Sequence, residues 1–251
     1  MATETLTKNS IAGLTIAPVK ERSQYINILL YGDSGVGKTR LAGSADAVPS
    51  LRKVLFVDIE GGTTTLVNSY PNCEVVRVKN WKEMQQVYDA LYNKDVDYNT
   101  VVLDSLTEIQ KFNMSDIMMS VVQKRPDLDP DVPSMREWGK NLEQIRRFVR
   151  GFRDLEINTI FTALARSERD ERTGITYTKP SLSGKMADEV AAFLDIVGYL
   201  YVKEVSTDGG TKMQRLLLTQ KTDNVIAKDR SGKLEQVIPD PDMSAIYKLL
   251  K

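Results

Sequence analysis

The sequence predicts an α/β fold: a mostly parallel central sheet flanked by helices, extended by a C-terminal antiparallel hairpin. Three observations predict it. Short apolar runs recur at residues 26–31, 54–59, 100–104 and 158–164. Helical stretches separate most of these runs, and strands joined through helices return parallel into one sheet. The last two apolar runs, 196–205 and 213–220, are joined instead by Asp208, Gly209 and Gly210, a hairpin signal.

Residues 1–24 are polar apart from 11–18 and are expected to form a flexible N-terminal arm ahead of a single domain over 25–251. Residues 26–31 read as a buried strand running into a glycine-rich loop, with Arg40, Leu41 and Ala42 opening a helix beyond it. The next strand, 54–59, ends at Glu60, Gly61 and Gly62. A shorter strand over 74–78 precedes a helix from about Trp81 to Tyr92, whose Met84, Val87, Tyr88 and Leu91 share one face. The strand 100–104 leads into a helix reaching about Gln123. Pro126, Pro130 and Pro133 make 125–133 a loop. Ser134 then caps a long helix with Met135, Trp138, Leu142, Ile145, Val149 and Phe152 at helical spacing. After the strand 158–164 and the C-terminal hairpin, Ser244 caps a short final helix.

Composition narrows the setting. Lys plus Arg total 34, and so do Asp plus Glu, so any nucleic-acid surface must be local. The single Cys73 rules out an internal disulfide and reads as a small apolar residue at a strand edge; the absence of His removes most zinc sites. No apolar run is long enough to cross a bilayer and no signal-peptide pattern opens the chain, so a cytoplasmic location and no membrane partner are expected.

Gly32, Asp33, Ser34, Gly35, Val36, Gly37, Lys38 and Thr39 form a complete G-x-x-x-x-G-K-T phosphate-binding loop between strand and helix. Its glycines let backbone N–H groups turn inward around a polyphosphate, and the helix start adds partial positive charge. Lys38 would reach the β- and γ-phosphates, and the Thr39 hydroxyl would take a place on Mg²⁺. Asp104, closing its strand, is the matching carboxylate for the Mg²⁺ shell. Ser105 follows it, so the base that activates water must come from elsewhere. Glu60 is the candidate, because parallel strands deliver their C-terminal ends to the ligand side of the sheet; Asp58 is the reserve. The run Asn93 to Asp97 looks like a guanine-reading element but has one residue too many and precedes Asp104, so it reads as a surface turn.

The phosphate loop, Asp58-Ile59-Glu60 and Leu103-Asp104-Ser105 together resemble the RecA-like ATPase core. Residues 179–185, 193–197 and 227–230 make the C-terminal half similar to small phage-encoded RecA-core ATPases of the Sak type, single-strand annealing and recombination proteins. The resemblance runs from about residue 25 to the end. It implies ATP and Mg²⁺ as ligands, a homo-oligomer (ring or filament) with ATP at subunit interfaces, single-stranded DNA as a partner, and a single-strand DNA-binding protein as a candidate partner. In such ATPases a pair spaced like Lys228 and Arg230 reaches a neighbour's γ-phosphate; the run also fits an ordinary charged hairpin. The loop after the fourth core strand holds DNA there. It corresponds here to Arg166, Arg169, Arg172, Tyr177, Lys179 and Lys185, interleaved with Glu168, Asp170 and Glu171, which also fits a solvated hairpin. Relatives often end that strand with a polar γ-phosphate sensor. Ala163 and Leu164 fall there, leaving Thr162 or Arg166 for the task. Residues 14–17 fit either docking on a neighbouring subunit or a simple lead into the first strand. Two further readings stay open: a translocating helicase-like ring, and a slowly hydrolysing, nucleotide-switched interaction protein.

Overall fold

The computed structural model of the protein describes residues 10–11, 14–16, 18, 25–207 and 210–250. Within the expected arm, β1 (Ser10–Ile11) pairs antiparallel with β2 (Leu14–Thr15). The rest of that arm lies outside the described residues, as do positions 208 and 209 of the expected hairpin turn.

The first core strand is β3 (Asn27–Gly32), buried throughout, and it feeds the phosphate loop and α1 (Lys38–Gly43). β4 (Val54–Asp58), β5 (Glu74–Arg77), α2 (Trp81–Tyr92) and β6 (Thr100–Asp104) follow within a residue of the sequence expectation. Next come α3 (Leu106–Lys124) and α4 (Met135–Arg153); Ser134 and Glu137 close a reciprocal capping box at the start of α4. β7 (Asn158–Arg169), β8 (Thr176–Pro180), α5 (Met186–Phe193), β9 (Ile196–Thr207) and β10 (Gly210–Leu218) build the second half. β11 (Lys228–Asp229), β12 (Val237–Pro239) and α6 (Met243–Leu250) complete the described chain.

The sheet order is β12-β10-β9-β3-β7-β6-β4-β5, with β11 beside β9 and β8 beside β7. From β9 to β5 every neighbour is parallel, because each connection on that path passes through a helix or a long crossover; β10, β12, β8 and β11 pair antiparallel. Alternation along the strands divides the core. Leu29, Tyr31, Val57, Leu103 and Phe161 face α2 to α5, while Ile28, Leu30, Phe56, Val102 and Ile160 face α1 and α6.

Three local expectations are corrected. β7 continues to Arg169 instead of ending at Leu164, because β8 pairs with residues 165–169 and satisfies their backbone. The final helix begins at Met243, and its first-turn acceptor is Asp242, whose Oδ1 takes the Ala245 N–H, so Ser244 is not the cap. Met135 and Trp138 are exposed, at 86% and 40%, since the start of α4 runs past the sheet and only its later turns lie on the core. Trp81, by contrast, is buried against Phe148.

Candidate active site at the phosphate loop

β3 brings Gly32 so close to β9 that a Cβ there would stand 2.2 Å from the Leu200 carbonyl oxygen, so no side chain fits. Gly37 holds φ 105°, which L side chains rarely adopt, and turns the chain into α1. Helix α1 has six residues before it tightens into a single 3₁₀ turn over Ser44–Ala47. Anion binding therefore rests more on the loop and Lys38 than on a long helix dipole. Lys38 is buried, and its Nζ donates to the carbonyls of Gly32 (2.9 Å) and Asp33 (2.8 Å). Burial pulls its pKa below the usual ammonium range; the charges of Asp104, Glu60 and Asp33 act in the opposite direction.

Strand register assembles the remaining groups. Asp58 and Asp104 are paired positions at the ends of β4 and β6. Thr39 Oγ1 donates to Asp104 Oδ2 at 2.7 Å, and the Thr162 hydroxyl donates to the other Asp104 oxygen. The two residues assigned to a divalent cation thus meet directly. Asp58 is committed elsewhere: it accepts from the Gly61 N–H (2.6 Å) and from Thr63 Oγ1, which fixes the turn carrying Glu60. Glu60 is exposed and accepts a hydrogen bond from Ser105 Oγ, next to Asp104. The Asp104–Ser105 peptide is cis. Of the two residues proposed to sense the γ-phosphate, Thr162 is held on Asp104, whereas Arg166 forms an ion pair with Glu168.

The oxygen set fits Mg²⁺, a hard cation that takes one or two protein carboxylate or hydroxyl ligands and completes its shell with phosphate and water. One site residue went unread in the sequence. Arg215 of β10 lies 179 positions from Val36 yet donates from Nε to its carbonyl at 3.1 Å. Neither spacing nor periodicity connects them; a lone Arg within the strand was the only signal.

The structure does not bring the other candidates to this site. Lys228 Nζ donates to the carbonyls of Ala191 and Leu194, and Arg230 pairs with Asp195 at 2.7 Å. Both cations therefore face the C-terminal end of α5. Burial is the main cause that lowers the Lys228 pKa, and the Arg230 charge adds to it. The Arg230 N–H bonds Asp195, whose own N–H bonds Asn27, so the pair sits at the far end of β3 from this chain's phosphate loop.

The expected DNA loop is a β-ribbon, β7–β8, rising past the phosphate loop. Glu168 ion-pairs with both Arg166 and Lys179, and the Lys179 hydrogen bond is the main reason its carboxyl titrates below the usual range. Arg169 and Arg172 form no ion pair among the described residues, and Arg169, Arg172, Tyr177 and Lys185 are exposed.

A family model, AAA_24, described as an AAA domain, matches residues 24–231. No curated protein sequence matches the chain. Similar solved structures include a prototypical ATPase from the type III secretion system of pathogenic bacteria, at 19% identity and TM-score 0.44 over 70% of this chain and 52% of that one. The assembled ATPase EscN from the type III secretion system of enteropathogenic E. coli is similar at 17% identity and TM-score 0.44, over 70% of this chain and 43% of that one. EscN in complex with its central stalk EscO gives 19% identity and TM-score 0.43, over 70% and 42%. The chain thus spans between 42% and 52% of the length of these ATPases.

Proposed function

Since the chain belongs to the AAA_24 family of AAA domains, we propose that it is a Mg²⁺-dependent ATPase of RecA type that oligomerises and acts on single-stranded DNA in recombination or annealing. The coarser part is the family's own: an AAA domain is an ATPase domain, and the chain is an ATP hydrolase. The observation that carries the site assignment is the direct hydrogen bond between Thr39 and Asp104, beside a buried Lys38 and the Glu60–Ser105 pair.

In this reading the loop N–H groups bind the polyphosphate, and Lys38 exchanges its two loop carbonyls for phosphate oxygens. Thr39 and Asp104 hold the Mg²⁺, which when bound withdraws charge from the phosphate oxygens. Thr162 keeps the Asp104 carboxylate aimed. Ser105, donating to Glu60, orients the carboxylate to accept a proton from the attacking water. Lys228 and Arg230 belong to a neighbouring subunit's site, and the β7–β8 ribbon carries the DNA surface through Arg166, Arg169, Arg172, Tyr177 and Lys179, with Lys185 just before α5 beside them.

A second reading has one observation behind it. Both cations of the Lys228–Arg230 pair have partners within their own chain, which suits a nucleotide-switched protein with slow hydrolysis.

The test of the site is Lys38→Ala. A ligand that binds only the native state stabilises by about 2.7 kcal/mol at a hundredfold excess over Kd. Thermal melts of the parent should show that gain with Mg·ATP, and melts of Lys38→Ala should lose it along with turnover. Equal shifts in the two proteins overturn the assignment.

A further inference from the structure

Beside the phosphate loop lies a recess of about 280 Å³ that the catalytic groups leave unused. Ligand pockets run to about 300–1,000 Å³, so this one suits part of a ligand whose remainder lies outside it. Gly37, the last loop glycine, borders it, and Arg40 of α1 lines the same side. Arg215, whose guanidinium packs against Gly37, lines it as well, and so does the turn of Asp240, Pro241 and Asp242. That turn is tied to the loop side by the Met243 N–H, which donates to Ser44 Oγ at 2.8 Å, and to β10 by the Asp240 N–H, which donates to the Arg215 carbonyl at 2.8 Å.

The polar groups of the recess are incompletely used. The Arg40 side chain makes no hydrogen bond or ion pair among the described residues, and the Arg215 guanidinium makes only its Nε bond to the Val36 carbonyl. Asp240 Oδ2 accepts from Gln214 Nε2 at 2.9 Å, and no donor among the described residues reaches the other carboxylate oxygen.

We infer that the recess takes the nucleoside of the triphosphate held by the loop, and that Asp240 selects a base carrying an exocyclic amine. The inference rests on reading the phosphate loop as the ATP site. Because Gly37 borders both spaces, one ligand can fill both. The arginines then lie where ribose and phosphates enter. The carboxylate at the rim accepts from an amine and repels a carbonyl oxygen at the same place, which favours adenine, a 6-amino purine, over hypoxanthine, its 6-oxo counterpart. Hydrogen bonds to charged groups discriminate by about 10- to 100-fold; Asp240 is exposed, which puts its effect near tenfold.

Asp240 holds φ 43°, a conformation that Asn and Gly also accept. In Asp240→Asn the amide oxygen can keep the Gln214 bond, which puts the NH₂ in place of the unpartnered carboxylate oxygen, so an acceptor becomes a donor. Kd values for Mg·ATP, Mg·ITP and Mg·tripolyphosphate should be measured on the parent, Asp240→Asn and Asp240→Gly, with unliganded melts to confirm folding. The parent should bind ATP about tenfold tighter than ITP, and both tighter than tripolyphosphate. Asp240→Asn should reverse the ATP/ITP order, Asp240→Gly should level it, and tripolyphosphate affinity should not move in either. Equal ATP and ITP affinities in the parent, or an unchanged ratio in both folded variants, overturn the inference while leaving the ATP site standing. Failure of the site reading has a different signature: the parent binds neither ATP nor tripolyphosphate, or Lys38→Ala binds them as the parent does.

Discussion

Glu60 is exposed at the end of a turn, yet three anchors define its position. Asp58 pins the turn at Gly61 and Thr63, and the Ser105 hydroxyl grips the carboxylate itself. Glu60→Gln keeps the shape and can still accept from Ser105, but it cannot take a proton. ATP binding should persist while hydrolysis falls by about 10²- to 10⁴-fold, the usual contribution of a general base. Phosphate release and nucleotide binding, measured side by side, check this. Turnover at the parent rate would move the base to another acid, and Asp58 is a poor heir because both of its oxygens already hold the turn.

At the scale of elements, the β7–β8 ribbon is the proposed DNA surface. Glu168 neutralises Arg166 on its own strand and Lys179 across the ribbon, which leaves Arg169, Arg172 and Tyr177, with Lys185 just before α5, as exposed side chains of the proposed surface. Each phosphate neutralised on a single strand contributes about −0.7 to the slope of log affinity against log salt. Arg169→Ala with Arg172→Ala should therefore flatten the slope and weaken all sequences alike, with the DNA-independent ATPase intact. Tyr177→Ala should weaken binding by about 1–3 kcal/mol without changing the slope, if its ring stacks on a base. Salt titrations of fluorescent oligonucleotides separate the two. A double arginine variant that binds as the parent does would place the DNA surface elsewhere.

For the whole molecule the question is whether one chain completes its own site. Lys228 and Arg230 lie at the far end of β3 from this chain's loop, so a catalytic role for them requires a neighbour. It also requires Lys228 to leave two α5 carbonyls and Arg230 to leave Asp195. Arg230→Ala and Lys38→Ala should each be inactive alone. A mixed assembly contains some interfaces with both an intact loop and an intact finger, so mixing should restore part of the ATPase activity. No recovery in mixtures shown by sedimentation to co-assemble would make the pair a structural cap on α5 and would favour the switch reading.

The sequence alone determined the phosphate loop, the strand that ends in Asp104, the turn at Glu60 and most helix boundaries, because each depends on residues within a few positions of one another. Glycines set the loop, short continuous apolar runs mark the strands, and Ser134 marks a helix start. Residues 166–180 were harder to read because mixed charge with weak alternation does not separate a solvated loop from a paired ribbon; the backbone of β8 decides that. Only the tertiary structure decided which groups meet. Strand order and register put Thr162 and Thr39 on the two oxygens of Asp104, and Ser105 on Glu60. They also lay Arg215 against Val36 and turn Lys228 and Arg230 toward α5. Periodicity reports that a side chain lies on a buried or an exposed face, but the partner on that face comes from a strand adjacent in space and distant in sequence.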